Sequence, residues 1–239
     1  MTAEQVSVVP VSAAPDEGLR VYLERLKPQL ADVLPKYLTP ERLVKLALVA
    51  SAQNPDIGRC TKESIALSVM RVAQWGLEIG ETAHLVPFRT KAGGMRCQAV
   101  ADYRGLIQLA RQAEICRDIE GYVVYQGDEF EYEYGTDMRL RHVPAPASRR
   151  GPITHAWIRI VRRYGSVSFH VMPIEDIEAI RRQYSRQWSP DKVKDCPPWY
   201  AIKTCIRDYL ARQPKMSERL QDALNDEEAE KEEVDDAVS

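Results

Sequence analysis

The stretch Arg96–Arg111, RCQAVADYRGLIQLAR, constrains the fold more than any other part of the chain. Its first half reads as a strand, with Arg96 and Gln98 on one face by the period of two. The strand is expected to end near Asp102 and a helix to begin near Tyr103. With about 100° of turn per residue, Leu106, Leu109, Ala110 and Ala113 fall on one side of that helix. Arg104, Gln108 and Arg111 fall on the other, and Ile107 is the one apolar residue near them. Such a helix buries one stripe and presents two guanidiniums and an amide. That face suits two readings: a solvated outer surface, or a track for a phosphate backbone.

The rest of the chain reads as an α+β fold in which an antiparallel sheet with hairpins is backed by helices. Residues 1–16 are rich in Val, Ser, Ala and Pro without periodicity and read as a mobile leader. Leucines from Leu19 to Leu34 recur at helical spacing, but Pro28 and Pro35 predict a broken helix. Thr39-Pro40-Glu41 and Thr61 are helix starts, and Gly76 closes the second of these helices. His84–Arg89 and Met95–Asp102 form a hairpin across Gly93-Gly94, with Arg89, Lys91 and Arg96 gathered at its tip. Ile119–Tyr125, Phe130–Tyr134 and Leu140–Val143 read as further strands, with Phe130, Tyr132 and Tyr134 as core residues. Thr154–Tyr164 and Val167–Met172 form a second hairpin that turns at Gly165. On its first strand His155, Trp157, Arg159, Val161 and Arg163 share a face that suits either base stacking or packing at a sheet edge. Glu175–Tyr184 is helical, with Arg181, Arg182 and Arg186 outward, and Ser185–Pro197 is a loop containing Trp188. In the helix Trp199–Arg212, Ile202, Cys205, Ile206, Tyr209 and Leu210 form the buried stripe, and Lys203 and Arg207 lie one turn apart at its margin.

Composition excludes several classes. The 239 residues carry a net charge of −2, but from Met216 onward ten acids stand against two bases. That makes residues 216–239 an acidic tail of −8, expected to be disordered, on a body of +6. The working division is therefore a leader at 1–16, one domain at 17–215 and the tail at 216–239. The five cysteines, Cys60, Cys97, Cys116, Cys196 and Cys205, are scattered and include no CxxC pair, which speaks against a disulfide framework or a zinc site. No apolar run is long enough to span a bilayer. The four histidines, His84, His142, His155 and His170, show no ligand spacing and no partner nucleophile, so each is expected to be structural. Asp128–Glu133 alternates acids with aromatics, and one enzymatic reading makes it the metal site of a nuclease. The other reading is a solvated strand face, because no histidine or lysine completes a site.

Tyr103–Arg111, YRGLIQLAR, resembles the YKGLIDLAR-type segment of the RecT family of phage and prophage single-strand annealing proteins. Further pieces match in order: Cys60–Gly80, His84–Gln98, Gly127–Gly135, Gly151–Ile160 and Pro198–Leu210. The resemblance covers Leu38 to Pro214 and departs at Arg104, where a lysine is more typical and the charge is kept. It implies a curved antiparallel sheet backed by helices, and subunits that associate into rings or helical filaments. It implies ATP-independent binding of single-stranded DNA and pairing of complementary strands in phage-type recombination and repair. No catalytic residue and no cofactor are implied, with Mg²⁺ a modulator of DNA binding. Matched residue by residue, the DNA contacts fall on Arg104, Arg111, Lys203, Thr204 and Arg207. Gln98 and Tyr103 follow, then Arg89, Lys91 and Arg96. The implied partners are single-stranded DNA, the annealed duplex, further copies of the chain, a partner exonuclease and the host single-strand-binding protein. The implied place is the cytoplasm of a bacterial host, with no membrane. The alternatives are a plain single-strand binder without annealing activity, the nuclease above, and an interaction module built on the acidic tail and the leucine-bearing N-terminal helix.

Overall fold

The computed structural model describes residues 18–90, 93–184, 195–213 and 219–225. The expected leader, Lys91 of the hairpin tip, Arg186 and Trp188 of the following loop, and most of the acidic tail lie outside the described residues. What is described divides into two compact units, one running to Gly105 and including Asn225, the other spanning Leu106–Leu224.

The first unit contains helices α1 (Leu19–Arg25), α2 (Lys27–Val33), α3 (Pro40–Gln53), α4 (Pro55–Gly58) and α5 (Lys62–Trp75), and strands β1 (Ala83–Arg89) and β2 (Met95–Ala101). The first helix breaks at Leu26, and Pro28 sits in the opening turn of α2, where its missing N–H would have had no partner. The two threonines cap as expected: Thr39 accepts from the Arg42 N–H and Thr61 from the Ser64 N–H, each at 3.3 Å. Gly76 ends α5 in the left-handed region at φ 69°. The four-residue α4 is too short to show a period in the sequence, and Asn54 caps it by the same device, accepting from the Asp56 N–H at 3.1 Å. Leu23, Leu30, Leu43, Ala47, Val69, Trp75 and Leu77 form the core. Helix α5 packs against β2, and the buried Ser64 Oγ accepts from the Cys97 N–H at 3.0 Å.

Helix α6 (Tyr103–Gln112) carries the chain out of the first unit. The second unit holds β3 (Asp118–Tyr125), β4 (Glu129–Glu133), β5 (Arg139–Val143), β6 (Ile153–Val161), β7 (Val167–Pro173), α7 (Ile174–Tyr184) and α8 (Pro198–Ala211). Strands β3, β6 and β7 form one antiparallel sheet with β6 central, and β4–β5 is a separate hairpin. Ile119, Ala156, Ile158, Ile160 and Met172 are buried, and α8 packs on β3 and β6. A Cβ on Gly121 would lie 2.3 Å from Ile202 Cγ2, so the strand has no side chain where the helix crosses it.

The α+β class with antiparallel hairpins is borne out, but the strands belong to three sheets rather than one. Three local expectations change. Tyr132 and Tyr134, read as core residues, are 39% and 50% exposed: their rings meet one another edge-on and Tyr134 leans on Phe169 without being enclosed. Arg181 was expected outward but is 5% exposed, its charge met by Glu178 at 2.7 Å one turn away. Residues 219–225, inside the expected disordered tail, are helical, since Leu220, Ala223 and Leu224 supply a buried stripe at helical spacing among the acids.

Candidate nucleic-acid interface

The β1–β2 register decides what the hairpin presents. Phe88 pairs with Arg96, Val86 with Gln98 and His84 with Val100, so these six share one face. Leu85, Cys97, Ala99 and Ala101 are buried on the other. Arg96 and Gln98 therefore share a face as the period of two predicts. Arg89 pairs with Met95 and projects to the opposite face, so Arg89 and Arg96 stand at the same end of the hairpin on opposite faces. Both arginines are exposed.

At the start of α6, Asp102 joins a helix cap to two basic side chains. Its Oδ1 accepts from the Gly105 N–H at 2.9 Å and caps the helix. Its Oδ2 lies 3.3 Å from Arg104 Nε and 3.7 Å from His84 Nε2. Burial pushes this carboxyl up, but His84, the Gly105 N–H and Arg104 together hold it below the usual carboxylate range. The Arg104 guanidinium lies 5.8 Å from the Tyr103 ring centroid. Gly105 leaves no room for a side chain without a backbone shift: a Cβ there would meet the Thr82 carbonyl oxygen at 2.2 Å. That close approach is the physical reason for the glycine in YRGL. An aspartate just before a helix was the available signal for the cap.

Along α6, Leu106, Leu109 and Ala110 are buried, and Arg104 and Arg111 are exposed, as the spacing predicts. Arg111 forms an ion pair with Asp118, the first residue of β3. Each of the two α6 arginines thus has a carboxylate beside it, which lowers the local field that a phosphate would feel. On α8, Thr204 is 6% exposed, in line with Ala201 and Cys205 on the buried side, so its hydroxyl does not face solvent. Lys203 and Arg207 lie half-buried at the margin. Arg207 Nη2 donates to the Leu224 carbonyl at 3.0 Å, tying α8 to helical residues 219–225.

The β6 face resolves toward packing. Trp157 stacks on Tyr122 with centroids 4.6 Å apart, and its Nε1 donates to His142 Nδ1 at 3.1 Å. That bond leaves His142 Nε2 to carry the proton toward Asp128 Oδ2, 2.9 Å away. Asp128 also accepts from the Tyr125 and Ala145 N–H groups at 3.0 and 2.7 Å. Burial pushes its carboxyl up, and these hydrogen bonds bring it below the ordinary value. The chain Asp128–His142–Trp157 fastens the β4–β5 hairpin over the three-stranded sheet. Glu129, Glu131 and Glu133 lie on the hairpin's other face, opposite Val143, Arg141 and Arg139, and Glu129 pairs with Arg141 at 2.7 Å. Among the described residues, no three His, Cys, Asp or Glu side chains converge as metal ligands. His155 is pushed down by burial, and His170 Nε2 lies 2.7 Å from Asp208 Oδ2. No described helix is long and apolar enough to cross a membrane.

Two comparisons bear on this arrangement. The model of the RecT family matches residues 41–238. The chain is also 32% identical over 226 residues to Protein RecT of Escherichia coli (strain K12), covering 90% of this chain and 81% of that protein.

Proposed function

The chain belongs to the RecT family, the single-strand annealing proteins of DNA recombination, and from that premise we propose that it holds single-stranded DNA by its phosphates and promotes pairing with a complementary strand. The observation that carries the reading, beyond family membership, is the α6 face, where Arg104 and Arg111 stand exposed on one helix whose other side is buried. Phosphate contact is independent of sequence and falls steeply with salt. Base edges stay free, and specificity is left to Watson–Crick pairing. Such a mechanism needs cations, multivalency and some stacking surface, and it contains no bond-breaking step and no nucleotide hydrolysis.

In this proposal Arg104 and Arg111 are the principal phosphate contacts, with Arg96, Gln98 and Tyr103 next to them in sequence and Arg89 and Lys91 further out. Lys203 contributes from α8. Arg207 acts chiefly by anchoring residues 219–225, and Thr204 by packing. Assembly of further copies into a ring or filament supplies the multivalency, Mg²⁺ tunes DNA affinity without chemistry, and the setting is the bacterial cytoplasm. A partner exonuclease and the host single-strand-binding protein belong to the same proposal.

The test is annealing of two complementary labelled oligonucleotides at low and moderate salt, with strand integrity checked on the same samples in Mg²⁺. The expected result is accelerated, salt-sensitive pairing with intact strands. Binding without acceleration leaves a plain single-strand binder. Mg²⁺-dependent cleavage that disappears in Glu131→Ala would replace this reading with the nuclease.

A further inference from the structure

We infer that the β6–β7 turn carries a base-stacking contact: Tyr164 receives an unpaired nucleobase of the bound strand, and Glu114 positions it through Arg163. The inference rests on the single-strand-binding reading above and adds a stacking contact to its phosphate contacts.

Tyr164 is 92% exposed, more than any other large apolar side chain among the described residues. Its ring adds almost nothing to the fold, yet the backbone beneath it is firmly closed. The Gly165 N–H donates to the Arg162 carbonyl at 3.0 Å, and the Arg162 N–H donates to the Ser166 carbonyl at 2.8 Å. Gly165 takes φ 87°, the left-handed residue that lets a short hairpin turn close. Arg163 and Tyr164 are thereby held at the tip, with the Arg163 guanidinium 5.9 Å from the Tyr164 ring centroid.

A second observation comes from the far end of α6. Glu114, at φ 56°, is the one non-glycine with positive φ among the described residues. It ends the helix in the manner of a glycine, with its own N–H donating to the Arg111 carbonyl and the next N–H donating to the Ala110 carbonyl. Glycine would sit there without strain. Glutamate brings a carboxylate, and that carboxylate pairs with Arg163 of the turn. A strained residue whose side chain holds an exposed tip in place is a feature of a site rather than of a core.

The surroundings fit a nucleic-acid strand. The Arg117 N–H donates to the Val161 carbonyl at 2.7 Å, which brings the segment after α6 alongside the β6 end of the turn. Arg111, Arg117, Arg162 and Arg163, all exposed, belong to the segments that meet at this end of the second unit, with Arg111 paired to Asp118 and Arg163 to Glu114. A strand held by Arg111 would find further cations and an open aromatic face here, which is the combination that single-strand binders use.

The experiment measures the affinity of the full chain for two strands of equal length, one with bases and one with abasic linkers throughout. Tyr164→Ala should weaken binding of the base-bearing strand by about fivefold or more and leave the abasic strand unchanged, while Tyr164→Phe binds like the parent. Quenching of a 2-aminopurine placed in the strand should fall in Tyr164→Ala and, to a lesser extent, in Glu114→Gly, but not in Tyr164→Phe. Glu114→Gly should raise the thermal midpoint, because the strain is relieved, and yet weaken the base-bearing strand. Unchanged affinity of Tyr164→Ala, or equal loss on both strands, overturns the stack. A higher midpoint with unchanged affinity in Glu114→Gly removes the positioning role. If the parent binds neither strand, the failure is that of the single-strand reading itself.

Discussion

Asp118→Asn is expected to tighten DNA binding. Asp118 pairs with Arg111, and the two side chains are 42% and 50% exposed. An exposed pair of this kind is worth about 0.2–1 kcal/mol. A phosphate that takes Arg111 must first displace the carboxylate, so removing its charge should strengthen binding by about 1.4- to 5-fold at low salt. The substitution is mild for the fold. Asp118 Oδ1 accepts from the Ile119 N–H at 2.8 Å, and an asparagine keeps that acceptor. Because any acid near DNA is unfavourable, the assay is a double-mutant cycle. Asp118→Asn, Arg111→Ala and the double variant are titrated with labelled single strand over a range of salt. Arg111→Ala alone should weaken binding and reduce the salt slope by about 0.7. The double variant should bind like Arg111→Ala, because the carboxylate acts through Arg111. Equal tightening by Asp118→Asn in both backgrounds would show a diffuse field effect and refute the argument. An unchanged slope in Arg111→Ala would take Arg111 out of the site.

Three further outcomes follow from particular contacts. Gly105→Ala should destabilise the fold by about 1–3 kcal/mol, because its Cβ would lie 2.2 Å from the Thr82 carbonyl oxygen; an unshifted urea midpoint would contradict this. Burial pushes the thiols of Cys116 and Cys196 up to about 11 and that of Cys97 to about 12, and raises Cys60 and Cys205 as well. An aromatic disulfide reagent at about pH 8, below the ordinary thiol pKa, should therefore label the protein only as it unfolds, and fast stoichiometric labelling of the native chain would count against that packing. Asp128 has its carboxyl held low, so its stabilising effect is complete above the ordinary carboxyl pKa of about 4 and is lost as pH falls through the depressed folded value. The stability gap between the parent and Asp128→Asn should accordingly shrink on acidification, and a gap that stays constant down to about pH 2 would show that the charge is irrelevant there.

Much of the fold was legible because its signals are local. Thr39, Thr61 and Gly76 mark helix ends by bonding to residues a few positions away, so the chain alone reveals them. The alternation of β2 and the stripe of α6 are likewise periods of a single element, and they placed Leu106, Leu109 and Ala110 inside and Arg104 and Arg111 outside. The four-residue α4 escaped because so short a helix has no period to read.

What tertiary structure alone decided are the pairings between residues far apart in the chain. The register Arg89↔Met95 sends Arg89 to the face opposite Arg96, and that depends on how the turn closes rather than on either strand's alternation. The links of Arg111 to Asp118, of Arg207 to Leu224 and of Trp157 to His142 and Asp128 join separate elements. No period within one element encodes them. A helix or strand pattern states which side of an element is apolar, because burial of that side is what makes the element stable. It does not state which charge a given arginine will meet, since that partner is brought there only when the elements pack. Here the amphipathic face of α6 was determined by sequence. Whether its two arginines stand open to a phosphate or beside a carboxylate was determined by Asp102 at the helix start and by the start of β3.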